Sequence, residues 1–367
     1  MKFIFKKPKK NNILIFDRVG LNVFKLFFYD SQFEVLDRRK ESINVYIILI
    51  TIFNDGLKDF KTNYFKNYLM TVNPKIVLTF IDNNFRFFLL KKHYPKAKYI
   101  CIQNGIRDEN FFKELKKYYD FNKNLEIDYF FIFNKIMKKK LLPYIKSKYY
   151  ETGSIKNNFY FKKKNIKHKY KKYITFITQT TSFFRPIEVI VFKELQKFCS
   201  QKKINLVFLE KKKSDIFNED FFRNKFGPEK WIYEKYKNMQ NTYEIINQSF
   251  MVIFIDSTLG YEALSKGIRV ACFPYKSLNK NFRKNNIHNN LLPNKFGYPG
   301  NFANKGPFWS NYANKDMIIP LLNKVYNYKH NKWKNIFNQY SSLIMKHDSK
   351  NKIIKKVLRN ICEESTK

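Results

Sequence analysis

Cysteines, histidines and acidic residues are scarce in this sequence, and each scarcity excludes a class of protein. The four cysteines, Cys101, Cys199, Cys272 and Cys362, lie far apart and form no CxxC pair. This excludes a disulfide-stapled scaffold and a cysteine-based zinc module. The five histidines show no metal-ligand spacing, so a histidine metal site is not indicated either. A reducing compartment and a site without a bound metal are therefore expected.

Acidic residues are outnumbered, because 30 Asp and Glu stand against 71 Lys and Arg and give a formal net charge of +41 and a sequence pI near 9.9. The positive charge is spread along the whole chain, together with an excess of Asn, Ile, Phe and Tyr that A/T-rich codons favour. No recognisable RNA- or DNA-binding motif is present, so no specific nucleic-acid partner is expected. We expect instead that lysines attach the protein to an anionic membrane surface without insertion, and that high salt releases it.

Long hydrophobic runs are also missing. The longest, residues 43–53, is interrupted by Asn44 and is too short to span a bilayer. The first residues, MKFIFKKPKKNN, contain no apolar stretch typical of a signal peptide. These features predict a cytoplasmic protein with peripheral attachment to the inner face of the cell membrane.

Apolar residues make up 44% of the 367 residues and aromatic ones 19%, which is enough for more than one buried core. Short runs rich in β-branched and aromatic residues alternate with stretches of helical periodicity, and this alternation is typical of βαβ units around a parallel sheet. The predicted strands are residues 12–16, 45–53, 75–80, 98–102, 128–133, 173–177, 204–209, 250–255 and 269–273. We therefore predict an α/β protein with two Rossmann-like domains. They comprise an amino-terminal domain over 1–160, a basic linker over 161–172, a carboxyl-terminal domain over 173–330 and terminal helices over 331–367.

The segment of residues 250–273 contains the clearest candidate for a binding site. A buried strand ends at Asp256, Ser257 and Thr258 turn the chain, and a short helix follows. Hydroxyl groups and free backbone N–H groups at a helix N-terminus suit a phosphate or diphosphate. The alternative is that Ser257 or Thr258 only caps the helix. Glu262, one helical turn after Thr258, is out of register for a capping box.

A second candidate follows the predicted strand over 98–102. The strand ends on Gln103 and Asn104, Gly105 permits a sharp turn, and the guanidinium of Arg107 suits bidentate contact with phosphate or carboxylate. An ordinary strand-loop-helix turn, in which Asn104 and Gly105 are favoured for a positive φ alone, explains the same residues equally well.

Two further loops carry binding candidates. After the first strand of the second domain, Thr180, Ser182 and Arg185 supply hydroxyls and a guanidinium ahead of a predicted helix, although Ser182 fits a helix cap equally well. The loop of residues 296–311 combines three glycines and two prolines with Trp309, and it lacks strand or helix periodicity. Its aromatic rings either face solvent and stack on a sugar or base, or pack on one another as an Ω-loop.

These motifs resemble those of proteins that handle carbohydrates. The residues Asp-Ser-Thr-Leu-Gly-Tyr-Glu-Ala-Leu at 256–264, followed by a glycine and an apolar strand, resemble the donor-binding strand-turn-helix of GT-B glycosyltransferases. This implies two Rossmann-like domains facing across a cleft, with Ser257 and Thr258 on the nucleotide diphosphate and Glu262 on the ribose. The Gln-Asn-Gly-x-Arg motif, Ile-Asp-Asn at 81–83 and residues 296–311 resemble a bacterial family of surface carbohydrate biosynthesis proteins.

The resemblance implies a glycosyltransferase-like enzyme that moves a sugar from a nucleotide sugar to a surface polysaccharide or lipid-linked acceptor. Such a transfer requires a general base, for which Asp82 and Asp17 lead the candidates, ahead of Asp55 and Asp108. No cofactor and no metal are expected, because Lys, Arg and a helix dipole can neutralise the leaving diphosphate. Two alternatives stay open: a CDP-polyol-type phosphotransferase of the same architecture, and a non-catalytic scaffold in glycan assembly.

Overall fold

The structure is a computed structural model that describes residues 2–36, 42–160, 172–178, 185–210, 218–227, 231–274, 295–312 and 314–364. The chain forms two compact units. Unit 1 comprises Met1–Gly105, Phe111–Lys156 and Asp348–Lys367, and unit 2 comprises Ile106–Asn110 and Asn157–His347. The chain therefore leaves unit 1 close to the predicted boundary at residue 160. The predicted linker over 161–172 lies outside the described residues, apart from Lys172.

Short strands and helices alternate along most of the chain, as expected for βαβ units. The strands are β1 (Lys2–Ile4), β2 (Ile13–Phe16), β3 (Glu34–Leu36), β4 (Ser42–Asn44), β5 (Ile76–Thr79), β6 (Lys98–Ile102), β7 (Leu125–Ile132), β8 (Ile145–Glu151), β9 (Tyr173–Ile177), β10 (Asn205–Leu209), β11 (Ile232–Glu234), β12 (Met251–Phe254) and β13 (Arg269–Cys272). The helices are α1 (Leu21–Phe24), α2 (Val45–Asp55), α3 (Phe60–Val72), α4 (Leu90–His93), α5 (Glu109–Asn122), α6 (Lys135–Leu141), α7 (Ile155–Phe159), α8 (Arg185–Gln201), α9 (Asn218–Phe226), α10 (Met239–Gln248), α11 (Thr258–Ser265), α12 (Lys315–Tyr326), α13 (His330–Ile344) and α14 (Lys352–Glu364). Short 3-10 helices cover Asp30–Gln32, Phe85–Leu89 and Ser349–Asn351.

Unit 1 is built on a six-stranded parallel sheet with the order β3-β2-β5-β6-β7-β8, and β1 and β4 form a separate parallel pair. The central strands β2 and β5 are buried along their whole length, because helices cover both faces of a parallel sheet of this kind. The chain adds β3 on one side of β2 and then returns to add β5 to β8 on the other. A topological switch point therefore lies between β2 and β5, where open α/β sheets bind ligands.

Unit 2 repeats this plan with five parallel strands in the order β11-β10-β9-β12-β13. Every residue of β9 and β12 is buried. The chain builds outward from β9 through β10 to β11, then crosses back to place β12 on the other side of β9. The switch point of unit 2 thus lies between β9 and β12, and the turn that follows β12 lies beside it. The α/β class with parallel sheets in two units is confirmed.

The prediction of a strand over residues 45–53 is wrong, because these residues form α2. The side chain of Asn44 accepts a hydrogen bond from the backbone N–H of Ile47 at 3.1 Å and caps the helix. The neighbouring α3 packs along α2. A continuous run of apolar residues fits a buried strand and a helix equally well, so the cap and the packing decide. Asp55 consequently ends a helix, where it accepts hydrogen bonds from Lys66 and Asn67 that lower its pKa.

The last part of the chain divides between the units. Helices α12 and α13 belong to unit 2, whereas α14 belongs to unit 1, where the side chain of Asn351 donates to the carbonyl of Ile155 at 2.9 Å. In the described ranges, no helix is both long enough and apolar enough to cross a membrane.

Candidate functional site

The N-terminus of α11 lies beside the switch point of unit 2. Ser257 occupies the N-cap position in an extended conformation and makes no side-chain bond to the helix backbone. Its carbonyl accepts from the N–H groups of Gly260 and Tyr261 at 3.0 and 3.4 Å. The N–H groups of Thr258 and Leu259 have no acceptor among the residues that the structure describes. This end of the helix therefore presents donors to an anion, and plain capping by Ser257 does not explain the motif.

Gly260 allows α11 to begin directly against the preceding strand. A Cβ atom at this position would overlap the ring of Phe254, the last residue of β12. A glycine is therefore required for close approach of helix and strand, and the tight turn carries Ser257 and Thr258 to the edge of the sheet.

The structure joins two motifs that are far apart in sequence. The backbone N–H of Ile106 donates to Oγ1 of Thr258 at 3.1 Å, and the segment Ile106–Asn110 belongs to unit 2. Arg107, which is half-buried, therefore lies in the segment attached to the start of α11. A guanidinium at such a place suits contact with the oxygens of a phosphate group.

The loop of residues 296–311 borders the same region. The N–H of Gly297 donates to the hydroxyl of Tyr261 on α11 at 3.1 Å. Burial raises the pKa of the neighbouring Tyr298, and the negative charges of Glu109 and Asp108 raise this pKa further. Tyr298 is therefore close to the 106–110 segment, and three separate pieces of unit 2 converge around the N-terminus of α11.

The aromatic rings of this loop face inward, so the prediction of exposed stacking faces is wrong for Trp309. Its ring is 2% exposed and stacks on Phe296 at a centroid distance of 4.2 Å and an angle of 13°. Its indole N–H donates to the carbonyl of Ala303 at 2.9 Å. Phe308 is fully buried as well. The loop is packed by its own rings, as the Ω-loop alternative predicts.

Glu262 is also buried, and the expectation of a carboxylate open to a ribose is corrected. The side chain is 2% exposed, and Oε2 accepts from the hydroxyl of Tyr243 on α10 at 2.7 Å. Tyr243 stacks on Tyr160, whose carbonyl accepts from the ammonium group of Lys266. Burial lowers the pKa of Lys266 to about 8, although the charge of Glu262 opposes this shift. These four residues, together called the Glu262 cluster, hold α10, α11 and residue 160 together inside unit 2.

The first half of the Gln103–Arg107 motif belongs to unit 1 and stabilises its loops. Oε1 of Gln103 accepts from the N–H of Phe133 at 2.8 Å, and its amide donates to the carbonyl of Gly105 at 2.9 Å. These bonds tie the carboxyl end of β6 to that of β7. Gly105 does not have a positive φ, so a left-handed turn does not explain this glycine.

Asp17 and Asp82 flank the switch point of unit 1, and both are buried. Oδ1 of Asp17 accepts from the N–H of Val19 at 3.0 Å, and Oδ1 of Asp82 accepts from the N–H of Asn104 at 3.0 Å. Nζ of Lys156 lies 3.5 Å from Oδ1 of Asn104. Both carboxylates thus hold backbone groups at the carboxyl ends of neighbouring strands.

The loop after β9 carries the remaining candidates. Thr180 and Ser182 lie outside the described residues. Arg185 begins α8, and nothing further is described of its side chain. Over the part of the chain that the structure describes, no three His, Cys, Asp or Glu residues are grouped as a metal site would require.

Sequence reasoning missed several residues of these sites. Lys156, Tyr243 and Lys266 follow no motif, and their partners lie 19 to 106 positions away in the chain. Pairing at such separations has no sequence signal in a single chain. A groove of about 1050 Å³ in unit 1 was also unforeseen. It is lined by aromatic and charged side chains that include Phe60, Phe85, Arg86, His93 and Phe121, and by none of the predicted site residues.

Comparison with known proteins supports the fold and the family resemblance. Residues 181–362, slightly less than half of the chain, match a family described as "putative O-antigen biosynthesis protein". A search of curated proteins gives no match.

Solved structures of similar fold cover almost the whole chain. MnaA of S. aureus, in a co-structure with UDP, is 13% identical, covers 100% of this chain and 97% of its own, and has a TM-score of 0.54. UDP-GlcNAc 2-epimerase from Neisseria meningitidis bound to UDP-GlcNAc is 10% identical over 99% and 100% of the two chains, with a TM-score of 0.54. A glycosyltransferase from Rickettsia africae is 14% identical over 96% and 98%, with a TM-score of 0.52. The chain thus has the GT-B fold, and its carboxyl-terminal half matches a family of O-antigen biosynthesis proteins.

Proposed function

We propose that this protein is a GT-B glycosyltransferase that uses a nucleotide sugar to extend a surface polysaccharide or a lipid-linked acceptor. The observation that carries the proposal is the uncapped N-terminus of α11 at the switch point of unit 2, next to the hydroxyl of Thr258. Such a terminus binds the diphosphate of a nucleotide through backbone N–H groups and the helix dipole. The family match and the nucleotide-bound structures of similar fold agree with this proposal.

The roles of the donor-side residues follow from their positions. Ser257 and the N–H groups of Thr258 and Leu259 bind the diphosphate, and Arg107 neutralises part of its charge. Negative charge grows on the leaving nucleotide in the transition state, so donors that are already oriented stabilise the transition state more than the ground state. The transfer is proposed to need no metal and no cofactor besides the nucleotide sugar. Asp256 directly precedes this turn and is proposed to belong to the same substrate site.

The acceptor hydroxyl requires a base, and Asp82 or Asp17 is proposed for this role. Both lie at the switch point of unit 1, where the carboxyl ends of strands meet. The acceptor is proposed to be a glycan or a lipid-linked sugar at the inner face of the cell membrane, with the protein acting from the cytoplasm.

The test is incubation with a panel of nucleotide sugars and CDP-polyols, followed by mass spectrometry of the products. Release of UDP or GDP supports a glycosyltransferase, and release that persists in EDTA supports its independence of metal. Release of CMP indicates either a donor of the Kdo or sialyl type or a polyol phosphate, which analysis of the second product distinguishes. An altered sugar still bound to its nucleotide would indicate an epimerase. No change in any donor would indicate a scaffold.

Nucleotide binding is measured separately from turnover. A nucleoside diphosphate that binds the folded state and not the unfolded chain raises the melting temperature. The free energy of unfolding rises by about 2.7 kcal/mol at a ligand concentration 100 times Kd. A thermal shift without turnover would support the nucleotide site but contradict the proposed transferase activity. No shift with any nucleotide would reject the site itself.

A further inference from the structure

Helix α2 is apolar on nearly every side, but only one side is covered. Ile47 and Thr51 are buried, and α3 packs along that side. The opposite side exposes Leu49 to 62%, Ile52 to 45% and Phe53 to 92%, and Leu57 just beyond the helix is 75% exposed. A helix with apolar residues all round is normally buried all round. The four exposed side chains, here called the α2 face, thus form an apolar surface that lacks a cover within the described chain.

The spacing of these residues makes the α2 face continuous. Leu49 and Phe53 are four residues apart, and such residues are neighbours on one side of a helix. Ile52 lies between them, three residues after Leu49. Leu57 follows the end of the helix at Gly56 and is exposed as well. Scattered exposed apolar residues need no explanation, whereas a contiguous group of large ones indicates an interaction surface.

Positive charge lies at both ends of the α2 face. Strand β1 pairs with β4, which runs directly into α2, so the amino-terminal segment lies beside the start of the helix. The carbonyl of Lys6 accepts from the side chain of Asn44, and Nζ of Lys7 lies 5.7 Å from the centroid of the Tyr46 ring. The exposed lysines of these two regions are Lys2, Lys6, Lys7, Lys9, Lys10, Lys58 and Lys61.

Negative charge is outnumbered around the same surface, although Asp30 and Glu34 line a groove together with Lys6, Lys7 and Lys9. In the described residues 2–16 and 42–58 the only acid is Asp55, which is paired with Lys66 on α3. The exposed Asp59 follows beyond the end of the helix. An apolar helix side bordered by lysines has the chemistry that binds the interface of an anionic bilayer. A second copy of the chain would bring two lysine borders of the same sign together, so charge favours lipid over self-association.

We propose that the α2 face inserts into the interfacial layer of an anionic bilayer while the surrounding lysines bind lipid headgroups. This differs from the sequence-based expectation of attachment by lysines alone. Apolar side chains buried at the boundary of headgroups and acyl chains are not screened by salt, so part of the binding persists when charge attraction is removed.

The experiment compares vesicles of phosphatidylcholine with vesicles that also contain phosphatidylglycerol. The wild-type protein is expected to bind the anionic vesicles at low salt and to stay partly bound at about 1 M salt, where the Debye length is about 3 Å. The variant Leu49→Ser with Phe53→Ser is expected to weaken the partition constant by roughly tenfold to a hundredfold. The matched control Leu142→Ser, at a residue of unit 1 that is 54% exposed, is expected to change it less than about twofold.

A second measurement reports insertion directly. Tryptophan fluorescence of a Phe53→Trp variant is expected to shift to the blue on anionic vesicles and to be quenched by lipids with brominated acyl chains, whereas Leu142→Trp is expected to show neither. Complete release at high salt, with an unquenched Trp at position 53, would overturn insertion. A wild-type dimer that the serine variant converts to a monomer, without vesicle binding by either, would overturn the lipid assignment in favour of self-association. Melting temperatures of all variants confirm folding, because each changed side chain is exposed.

Discussion

The two switch points have the same topology, yet their side chains differ in chemistry. In unit 1 the residues after β2 and β5 include two buried carboxylates, Asp17 and Asp82, each of which accepts from a backbone N–H. In unit 2 the residues after β12 include one half-buried carboxylate, Asp256, and two hydroxyls. Thr258 accepts from a backbone N–H, and Ser257 does not cap the helix terminus. A parallel sheet thus builds two similar edges, and the residues at the strand ends decide the charge of each.

This contrast is consistent with different chemical roles for the two units. An edge of carboxylates suits proton transfer and repels phosphate, whereas an edge of hydroxyls and helix N–H groups attracts phosphate. Under the proposed function, unit 1 supplies the base and unit 2 binds the nucleotide.

The largest expected effect is on turnover, from changes at the edge of unit 1. If Asp82 is the base, Asp82→Asn is expected to reduce kcat by about 10²–10⁴-fold, because an amide side chain cannot take the proton from the acceptor hydroxyl. Stability should change little, since Oδ1 of Asn still accepts from the N–H of Asn104. Asp17→Asn is the matched variant at the other strand end. The loss is measured as the steady-state rate with whichever donor the panel of nucleotide sugars identifies. Losses below tenfold in both variants would show that the base is another residue.

The next effect is on nucleotide affinity, from the edge of unit 2. The hydroxyl of Thr258 accepts from the N–H of Ile106, and its own O–H is expected to donate to the diphosphate. Thr258→Val removes this hydroxyl, and one hydrogen bond to a charged group contributes about 1.5–3 kcal/mol. Kd should therefore rise roughly tenfold to a hundredfold by calorimetry. Thr258→Ser keeps the hydroxyl and should keep most of the affinity. An unchanged Kd in the valine variant would show that the nucleotide does not bind at the N-terminus of α11.

A pH-dependent effect comes from Lys266 in the Glu262 cluster. Its pKa is lowered to about 8 in the folded protein and is ordinarily near 10.4 in an unfolded chain. Between these values the unfolded chain binds more protons, so the stability that Lys266 contributes rises as pH rises from about 8 to 10.5. The free energy of unfolding of the wild type minus that of Lys266→Met should rise by about 2 kcal/mol across this window, allowing for partial exposure.

Chemical denaturation across this pH range gives the comparison. Lys324→Met, at an exposed lysine of α12, serves as the control for the loss of one positive charge. A difference that stays flat with pH in Lys266→Met would show that the ammonium group is better solvated than its burial indicates.

The smallest expected effect is at Glu262. Because its carboxylate accepts from Tyr243 inside unit 2, Glu262→Gln should lower stability by about 1 kcal/mol through a weaker hydrogen bond. Nucleotide affinity should change less than threefold by the same calorimetric measurement. Tyr243→Phe removes the other partner and should have a similar effect on stability. A large loss of nucleotide affinity with unchanged stability would instead support a contact between Glu262 and the ribose, as the family resemblance implies.

The central strands of both sheets were predictable because buried parallel strands are short, apolar and bounded by polar turns. All but one of the predicted strands, such as 98–102 and 269–273, are confirmed within a few residues. Five strands were missed: β1, β3, β4, β8 and β11. Four of them have only three residues and carry no periodicity, and the seven-residue β8 is rich in Lys and Tyr instead of aliphatic residues. Residues 45–53 were misassigned because β-branched composition favours a strand locally, and the Asn44 cap and the packing of α3 override it.

The sequence by itself determined the α/β class, the two-unit plan and the position of the Ser257–Thr258 turn, because alternating apolar runs and turn residues are local properties. Tertiary structure alone brought Ile106 to Thr258 across 152 positions, placed Glu262 against Tyr243 and covered Trp309 with Phe296. It also left the α2 face open. Contacts between distant residues and the burial of a side chain depend on how the elements pack, and no pattern along a single chain records that packing.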